Sequence, residues 1–177
     1  MNTSQLTTVL QRDPFTRALF RGVFPSDQLP SQVPHYPSVF IANVDALGKP
    51  GSHWCAFYFT SKHDGEFFDS YGQPPQDFSP MFYRFLENNT RTWTFNTQCL
   101  QSIDSMVCGH YCLYYALNRC RKRSMKAIVS RFTNNTRLND QWVKRFIVKH
   151  FGFVYHNITK YVSHQTSQTK KARINKK

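Results

Sequence analysis

The fold is organised around one stretch of sequence, Gln98–Ala116 (QCLQSIDSMVCGHYCLYYA). It begins as a polar, turn-prone segment and becomes an apolar run of helical length at Cys108. Asp104 or Ser105 is a suitable N-cap for that run, which places Cys108 in the first turn of a buried helix. A thiol there lies at the positive end of the helix dipole and near backbone N–H groups that lack intrahelical partners. Both features favour the thiolate.

This stretch alone leaves two interpretations open. Cys108 and Cys112 are one helical turn apart, so both thiols can pack in the core as small apolar groups. Alternatively, Cys108 is a nucleophile, and Gln101, seven residues upstream, donates its amide N–H to a developing oxyanion. The remainder of the chain has to supply the partners that distinguish the two.

A histidine and an aspartate occupy matching ends of two neighbouring predicted strands. His53 begins a strand over residues 53–60, and Asp69 lies toward the end of a strand over residues 66–71, with a tight turn between them. Antiparallel pairing brings the start of the first strand to the end of the second. We therefore expect the Asp69 carboxylate to orient the His53 imidazole at one edge of the sheet, facing the start of the Cys108 helix.

The hydrophobic pattern predicts an α+β fold, a small and mainly antiparallel sheet packed with helices. The predicted strands cover residues 38–44, 53–60, 66–71 and 92–97, and the predicted helices cover residues 3–12, 81–87, 108–119, 125–132 and 141–150. Predicted N-caps are Thr3 or Ser4 for the first helix, Asp77 or Ser79 for the second, and Asn139 or Asp140 for the last. We expect one domain over residues 1–162 and a disordered basic tail over residues 163–177.

The composition limits the class of protein. Sixteen Phe, nine Tyr and three Trp in 177 residues supply a core for one folded domain. No apolar run approaches the roughly 18 residues that span a bilayer, and the first residues do not resemble a signal peptide, so we expect no membrane association. Five cysteines without a CxxC pair fit free thiols in a reducing compartment. We expect no metal, because the available ligands lack a usual zinc spacing: His53, Cys55, Cys108 and Cys112.

Positive charge is concentrated in the last third of the chain. Residues 1–118 carry a net charge of −2, whereas residues 119–177 carry sixteen Lys and Arg against Asp140 alone, a net charge of +15. This imbalance predicts DNA as a partner, bound without sequence preference, although a solubilising tail or a nuclear import signal would have the same composition. Candidate contacts lie where the central helix ends and in the tail: Arg119, Arg121, Lys122, Arg123, Lys126, Lys170, Lys171, Arg173, Lys176 and Lys177.

Three motifs in order, GSHWCAFYF at residues 51–59, FFDSYG at residues 67–72, and Gln101 followed after six residues by CGHYC, resemble one protein family. The sequence is similar to the adenovirus-type cysteine proteases (adenain) and their relatives encoded by Polinton/Maverick elements and adintovirus-like viruses. The resemblance covers roughly residues 14–120. It implies the adenain-type fold, shared with the ubiquitin-like-protein proteases, with the nucleophile at the N-terminus of a buried central helix.

By this resemblance, Cys108 would be the nucleophile, His53 the general base, Asp69 its orienting acid and Gln101 the oxyanion donor. Trp54 would shield the catalytic pair from water. Adenovirus enzymes often have Glu where this chain has Asp69, a difference that leaves the role intact.

The resemblance also implies a biological role. We expect a monomeric cysteine endopeptidase that cleaves capsid or core precursors during virion maturation, in the host nucleus and the virion, with a preference for small residues such as Gly before the cut. The alternatives are an isopeptidase for ubiquitin-like modifiers and a non-catalytic DNA-binding core protein.

Adenovirus proteases are activated by DNA and by a peptide cofactor joined through a disulfide. DNA activation fits the charge of residues 119–177. Peptide activation is not expected, because Cys99 lies closer to Gln101 than the family's cofactor cysteine does, and Thr90 is nearer the expected position. The chemistry itself would require no cofactor.

Overall fold

The computed structural model of the chain describes residues 1–152. The predicted domain boundary at residue 162 and the predicted basic tail, with its five candidate DNA contacts, lie outside the described residues.

A five-stranded mixed sheet forms the centre of the molecule. Its strands follow chain order across the sheet: β1 (Phe20–Phe24), β2 (Ser38–Asn43), β3 (Trp54–Phe59), β4 (Asp64–Phe68) and β5 (Thr92–Phe95). The inner pairs, β2 with β3 and β3 with β4, are antiparallel, whereas β1 runs parallel to β2 and β4 runs parallel to β5. The α+β class is confirmed, but the prediction of a mainly antiparallel sheet is wrong.

Five α-helices complete the described fold: α1 (Thr3–Arg12), α2 (Pro80–Asn89), α3 (Cys108–Cys120), α4 (Met125–Val129) and α5 (Thr136–Phe151). Helix α2 lies between β4 and β5 in the chain, so these three elements form a β-α-β unit, the connection that joins parallel strands.

Several predicted boundaries and caps are wrong. Asn2, rather than Thr3 or Ser4, caps α1 through a reciprocal capping box with Gln5. Helix α5 begins five residues before the predicted start at residue 141, and Asn135 caps it. Asn139 and Asp140, the predicted caps, are buried within α5. Ser79 caps α2 as predicted.

Helix α3 is buried along almost its whole length, because it packs across the sheet between α1 and α5. This explains why its sequence is apolar on all sides instead of along one stripe. The other face of the sheet packs on α2 through a second, Phe-rich cluster. Strand β2 is buried throughout, since both faces of the sheet are covered.

Within residues 1–152, no helix combines the length and the apolar character of a membrane-spanning segment.

Candidate active site

The β3–β4 pairing places His53 and Asp69 side by side. His53 directly precedes β3 and Asp69 directly follows β4, and their antiparallel register brings these two ends to the same edge of the sheet. His53 Nε2 and Asp69 Oδ1 lie 2.6 Å apart. The pair is enclosed, since 8% of His53 and none of Asp69 is exposed. The structure thus brings together the two residues that the strand register predicts to meet.

The Asp69 carboxylate is held from its other side by the backbone. Its Oδ2 accepts hydrogen bonds from the N–H groups of Tyr71 and Gln73, both at 3.0 Å. The turn that supplies these donors requires Gly72, whose φ is +75° and where a Cβ would lie 2.8 Å from the Gln98 backbone. With both oxygens engaged, the carboxylate is fixed in an orientation that holds the His53 ring.

Cys108 is the first residue of α3 and is 7% exposed. The His53 side chain and the backbone of Trp54 and Gly109 lie close enough to its thiol to lower the pKa of Cys108. The predicted N-caps Asp104 and Ser105 are wrong, because the helix begins after Val107 without a side-chain cap. The N–H groups of Cys108 and Gly109 are therefore not occupied by a capping side chain, whereas the His110 N–H donates to the Val107 carbonyl at 2.9 Å.

The electrostatics of this pair favour a thiolate beside an imidazolium. Burial alone would lower the pKa of His53, but hydrogen bonds to Asp69 and Cys108 and the negative charges of both raise it to about 9. Burial would raise the pKa of the Cys108 thiol, but the hydrogen bond and charge of His53, with the backbone hydrogen bonds, hold that pKa below its ordinary value. At neutral pH both shifts favour the reactive form of the thiol.

Aromatic side chains surround the imidazole. The rings of Tyr71 and Phe78 are stacked on His53, with centroids 4.9 Å and 5.3 Å from the imidazole centroid. Trp54 lies next to the start of α3, where a Cβ on Gly109 would come within 3.3 Å of the indole. The Cys-Gly pair thus lets Trp54 pack against the helix start, a position compatible with the predicted shielding role.

Sequence reasoning did not single out Tyr71 or Phe78. Tyr71 lies inside the Asp69 motif, so its proximity could have been noticed. Phe78 lies nine residues after Asp69, beyond a proline-rich turn, and nothing in the sequence pattern indicates that it returns to the site.

Gln101 is buried in the corner next to this site. Its Nε2 donates to the Ser105 carbonyl at 2.8 Å and to Tyr71 Oη at 3.1 Å, while its Oε1 accepts from Ser70 Oγ at 2.8 Å. The amide orientation follows from Ser105, because a backbone carbonyl can only accept. Both amide hydrogens of the predicted oxyanion donor are therefore engaged within the protein.

The loop that carries Gln101 is fastened to α5 by Asp140. The Asp140 carboxylate accepts hydrogen bonds from the Ser102 N–H at 3.2 Å and from Tyr111 Oη at 2.9 Å. Tyr111 Oη also donates toward the Leu100 carbonyl at 2.9 Å. The single acidic residue of the basic third thus connects this loop to α5 and does not cap the helix as predicted.

The remaining thiols give little support for a metal centre. Among the described residues, one group of possible ligand atoms lies close together, those of His53, Cys55 and Asp69, within 4.8 Å of one another. Two members already form the His53–Asp69 hydrogen bond, and burial raises the pKa of the Cys55 thiol well above its ordinary value, which opposes the metal-binding thiolate. Cys112 instead donates to the Trp54 carbonyl at 3.2 Å.

A cavity of about 420 Å³ opens beside Trp54. Asn43 lines it and is 5% exposed, and its Nδ2 has no hydrogen-bond partner within the described part of the chain. Two apolar side chains in the loop before Cys108, Ile103 and Met106, are 94% and 87% exposed. Of the site residues, only Trp54 lines this cavity, and neither Cys108 nor these two exposed side chains line it.

The candidate DNA contacts at the end of α3 differ in their surroundings. Arg119 forms a two-pronged ion pair with Glu66, at 2.7 Å and 3.2 Å, and lies over the Tyr58 ring. Arg121 pairs with Asp13 and lies over the Phe15 ring. The exposed candidates among the described residues, whose charges have no ion pair there, are Lys122, Arg123 and Lys126.

A scan of the chain against models of protein families finds no match, and a search of curated protein sequences finds none either.

Proposed function

We propose that this protein is a cysteine endopeptidase in which Cys108 is the nucleophile. The observation that carries the proposal is the position of the Cys108 thiol at the start of α3, beside a His53 ring that Asp69 holds at 2.6 Å. A thiol, an imidazole and a carboxylate, the three groups of a cysteine-protease triad, lie together at the start of α3. The pKa of the thiol is lowered and that of the imidazole is raised, and both shifts favour nucleophilic catalysis.

The mechanism follows from this geometry. The thiolate attacks a peptide carbonyl, and the oxyanion receives hydrogen bonds from the Cys108 N–H and from the Gln101 amide, which gives up its hydrogen bond to Tyr71 Oη. The His53 imidazolium protonates the leaving amine, which leaves an acyl thioester on Cys108. Neutral His53 then activates water, which hydrolyses the thioester and restores the thiol.

The proposed family is that of the adenain-type proteases. The support is the order of the His-Trp, Asp, Gln and Cys-Gly motifs, together with the burial of the Cys108 helix against a mixed sheet. On this basis we propose that the substrates are capsid or core precursors, cleaved during virion maturation in the host nucleus and the virion. An isopeptidase for ubiquitin-like modifiers would use the same side chains and differ only in its substrate.

DNA is the second proposed partner, as an activator or as a surface that concentrates the enzyme with its substrates. This proposal is supported by the net charge of +15 on residues 119–177. A non-catalytic DNA-binding core protein would share that charge but would not need the Cys108–His53–Asp69 arrangement.

The test is proteolysis of a peptide library, of virion precursor proteins and of ubiquitin-like-modifier conjugates by the full chain, with the products identified by mass spectrometry. Cys108→Ala should abolish cleavage because the nucleophile is lost, whereas Cys112→Ala should retain it, since Cys112 packs one turn further along α3. Both variants should keep the circular dichroism spectrum of the parent.

Two outcomes would contradict the proposal. Cleavage by a folded Cys108→Ala protein would exclude Cys108 as the nucleophile. Cleavage confined to the isopeptide bonds of ubiquitin-like modifiers would retain the mechanism and replace the substrate class.

A further inference from the structure

The loop before Cys108, residues 102–107, exposes two large apolar side chains. Ile103 and Met106 are more exposed than any other large apolar side chain within residues 1–152, at 94% and 87%. Single exposed apolar residues are common on protein surfaces and need no explanation. Two of them in one loop of six residues are a candidate binding surface.

Hydrogen bonds and an ion pair hold the backbone of this loop in place. The Ser105 N–H donates to the Ser102 carbonyl at 3.2 Å, which closes a turn within the loop. The Ser102 N–H donates to Asp140 of α5 at 3.2 Å, and Asp104 pairs with Arg137 of α5 at 3.2 Å. A surface that is already ordered loses little conformational freedom when a ligand binds to it, and this favours a role in recognition.

The chain places both apolar residues next to the proposed reaction centre. Met106 lies two residues before the nucleophile Cys108, and Ile103 lies two residues after Gln101, the proposed oxyanion donor. Successive Cα atoms are 3.8 Å apart, so each apolar residue has its Cα within about 7.6 Å of the Cα of one of these two groups. A peptide whose carbonyl lies between Cys108 and Gln101 therefore passes within reach of the loop.

The contacts of Gln101 indicate which part of the substrate meets the loop. In the proposed mechanism His53 protonates the leaving amine, so the residues after the cut bind on the His53 side. The Tyr71 ring is stacked on His53, with centroids 4.9 Å apart. Gln101 Nε2 lies 3.1 Å from Tyr71 Oη and 2.8 Å from the Ser105 carbonyl of the loop. The loop is thus joined to the side on which the leaving group departs.

We propose that Ile103 and Met106 form the binding surface for an apolar side chain of the substrate, at the first or second residue after the cut. This inference rests on the function proposed above and narrows its substrates to polypeptides with an aliphatic or aromatic residue on the leaving side. The preference for small residues that the family resemblance implies concerns the residues before the cut, so the two preferences are compatible.

The experiment compares the residues that follow the cut in digests by the parent and by four variants of the full chain. All five proteins digest the same peptide library, and mass spectrometry identifies the cleavage sites. Two fluorogenic peptides that contain one of these sites, and differ only in Leu or Ser after the cut, then give a ratio of kcat/KM values. Because the ratio compares two substrates of one enzyme preparation, a variant that only loses folded protein does not change it.

The variants separate contact with the substrate from an effect on the fold. They are Ile103→Ser with Met106→Ser, Ile103→Leu with Met106→Leu, Ile103→Lys with Met106→Lys, and Val148→Ser as the matched control. Val148 is also an exposed apolar residue, but it lies on α5 eight residues, or about 12 Å, beyond the loop contact at Asp140.

The parent should cleave the Leu peptide with a kcat/KM about tenfold above that of the Ser peptide, the effect of burying roughly half of a leucine side chain. The double Ser variant should reduce this ratio to within about twofold, whereas the double Leu variant and Val148→Ser should keep it. The double Lys variant should select Asp or Glu after the cut, because an exposed cation attracts a carboxylate there.

Four results would overturn the inference. An equal ratio in the parent and the double Ser variant would show that the loop does not contact the substrate. A changed preference before the cut alone would place the acyl part of the substrate on the loop. An altered oligomeric state of the double Ser variant in sedimentation, with the cleavage preference unchanged, would assign the two side chains to an interface between copies of the chain. A double Lys variant with the preference of the parent would exclude contact at either position.

Cleavage of no peptide by the parent would contradict the proposed function, and this inference with it. Each of the four results above leaves cleavage by the parent intact, so failure of the inference is distinguishable from failure of the proposed function.

Discussion

Asp69 determines how the other site residues behave, although it does not contact the thiol in the proposed chemistry. Its fixed carboxylate lies against the edge of the imidazole, and its negative charge compensates the imidazolium within a closed environment. A buried charge of this kind is costly without compensation, and here the His53 cation and two backbone N–H groups supply it. The stability of the Cys108 thiolate therefore depends on Asp69, which contacts His53 and not the thiol itself.

Replacement of Asp69 with Asn should lower the pKa of His53. The imidazolium persists up to about pH 9 in the parent and is lost as the pH rises through that value. Without the carboxylate, neutral His53 should appear at lower pH, with the midpoint falling by about 1–3 pH units. The measurement is an NMR titration of the His53 Cε1–H resonance, with the exposed Asp77→Asn as control. An unchanged midpoint would show that Asp69 does not stabilise the imidazolium.

At the scale of single residues, sequence reasoning found the groups that carry charge and missed those that surround them. The pairing of His53 with Asp69 could be predicted from the sequence, because a tight turn between two strand-like segments fixes the register of the strands. Phe78 could not be predicted, because its proximity to the site depends on how the loop after β4 returns to the sheet. Asn43 pairs with Trp54 across the β2–β3 register, but the sequence does not show that its amide lacks a partner. Gln101 lies beside His53 and Tyr71, but its hydrogen-bond partners could be identified only in the folded chain.

At the scale of elements, the structure of the site depends on contacts between α3, α5 and the loop before Cys108. Asp140 in α5 connects the three: it accepts from the Ser102 N–H of the loop and from the Tyr111 hydroxyl of α3. The hydroxyl in turn lies 2.9 Å from the Leu100 carbonyl. The position of Gln101 is thus set partly by a helix that contributes no side chain to the proposed catalytic group.

Asp140→Ala should destabilise the fold by about 3 kcal/mol, because two buried donors lose a charged acceptor. The matched control is Asp104→Ala, whose ion pair with Arg137 is exposed and should contribute less than about 1 kcal/mol. Urea denaturation followed by circular dichroism measures both. Hydrogen exchange at Leu100, Gln101 and Ser102 should accelerate in Asp140→Ala alone. Similar effects of the two substitutions would show that the α5 contact does not hold the loop.

The error in sheet topology also belongs to this scale. The predicted strand at residues 66–71, helix at residues 81–87 and strand at residues 92–97 already had the order of a β-α-β unit, so the parallel β4–β5 pair could have been inferred. Strand β1 could not, because Phe20–Phe24 contains Gly22 and lacks clean alternation, and its partner is reached through an irregular connection. Strand β1 is stabilised mainly by its hydrogen bonds with β2, because its own sequence has little preference for a strand.

At the scale of the whole molecule, net charge is separated from the proposed chemistry. The site lies in the part of the chain with a net charge of −2, whereas the described segment from Arg119 onward has many exposed cations. Positive charge alone does not identify the residues that would contact DNA, since Arg119 and Arg121 form ion pairs within the fold. Substitution of Arg119 would leave the Glu66 carboxylate without its ion-pair partner. Such a variant would change the stability of the fold as well as DNA binding, so the two effects could not be separated.

DNA binding should therefore be tested at the exposed cations. Lys122→Glu combined with Lys126→Glu should weaken binding to a short duplex of arbitrary sequence, because both side chains lie at the end of the α3 region without an acidic partner in the described fold. The matched control is Lys49→Glu combined with Lys62→Glu, which changes the net charge equally at exposed positions in the other part of the chain. Fluorescence anisotropy over a range of salt concentrations measures the affinity and its slope.

Each phosphate contact contributes about −0.9 to the log–log salt slope, so loss of two contacts should reduce the slope by about 1.8. The control pair should leave the slope unchanged, even though its net charge falls equally, because a slope counts local counterion release. Equal weakening by both pairs would mean that DNA responds to overall charge without a defined surface. A slope near zero in the parent would contradict the polyanion role, and the excess of cations after residue 118 would then require a different explanation.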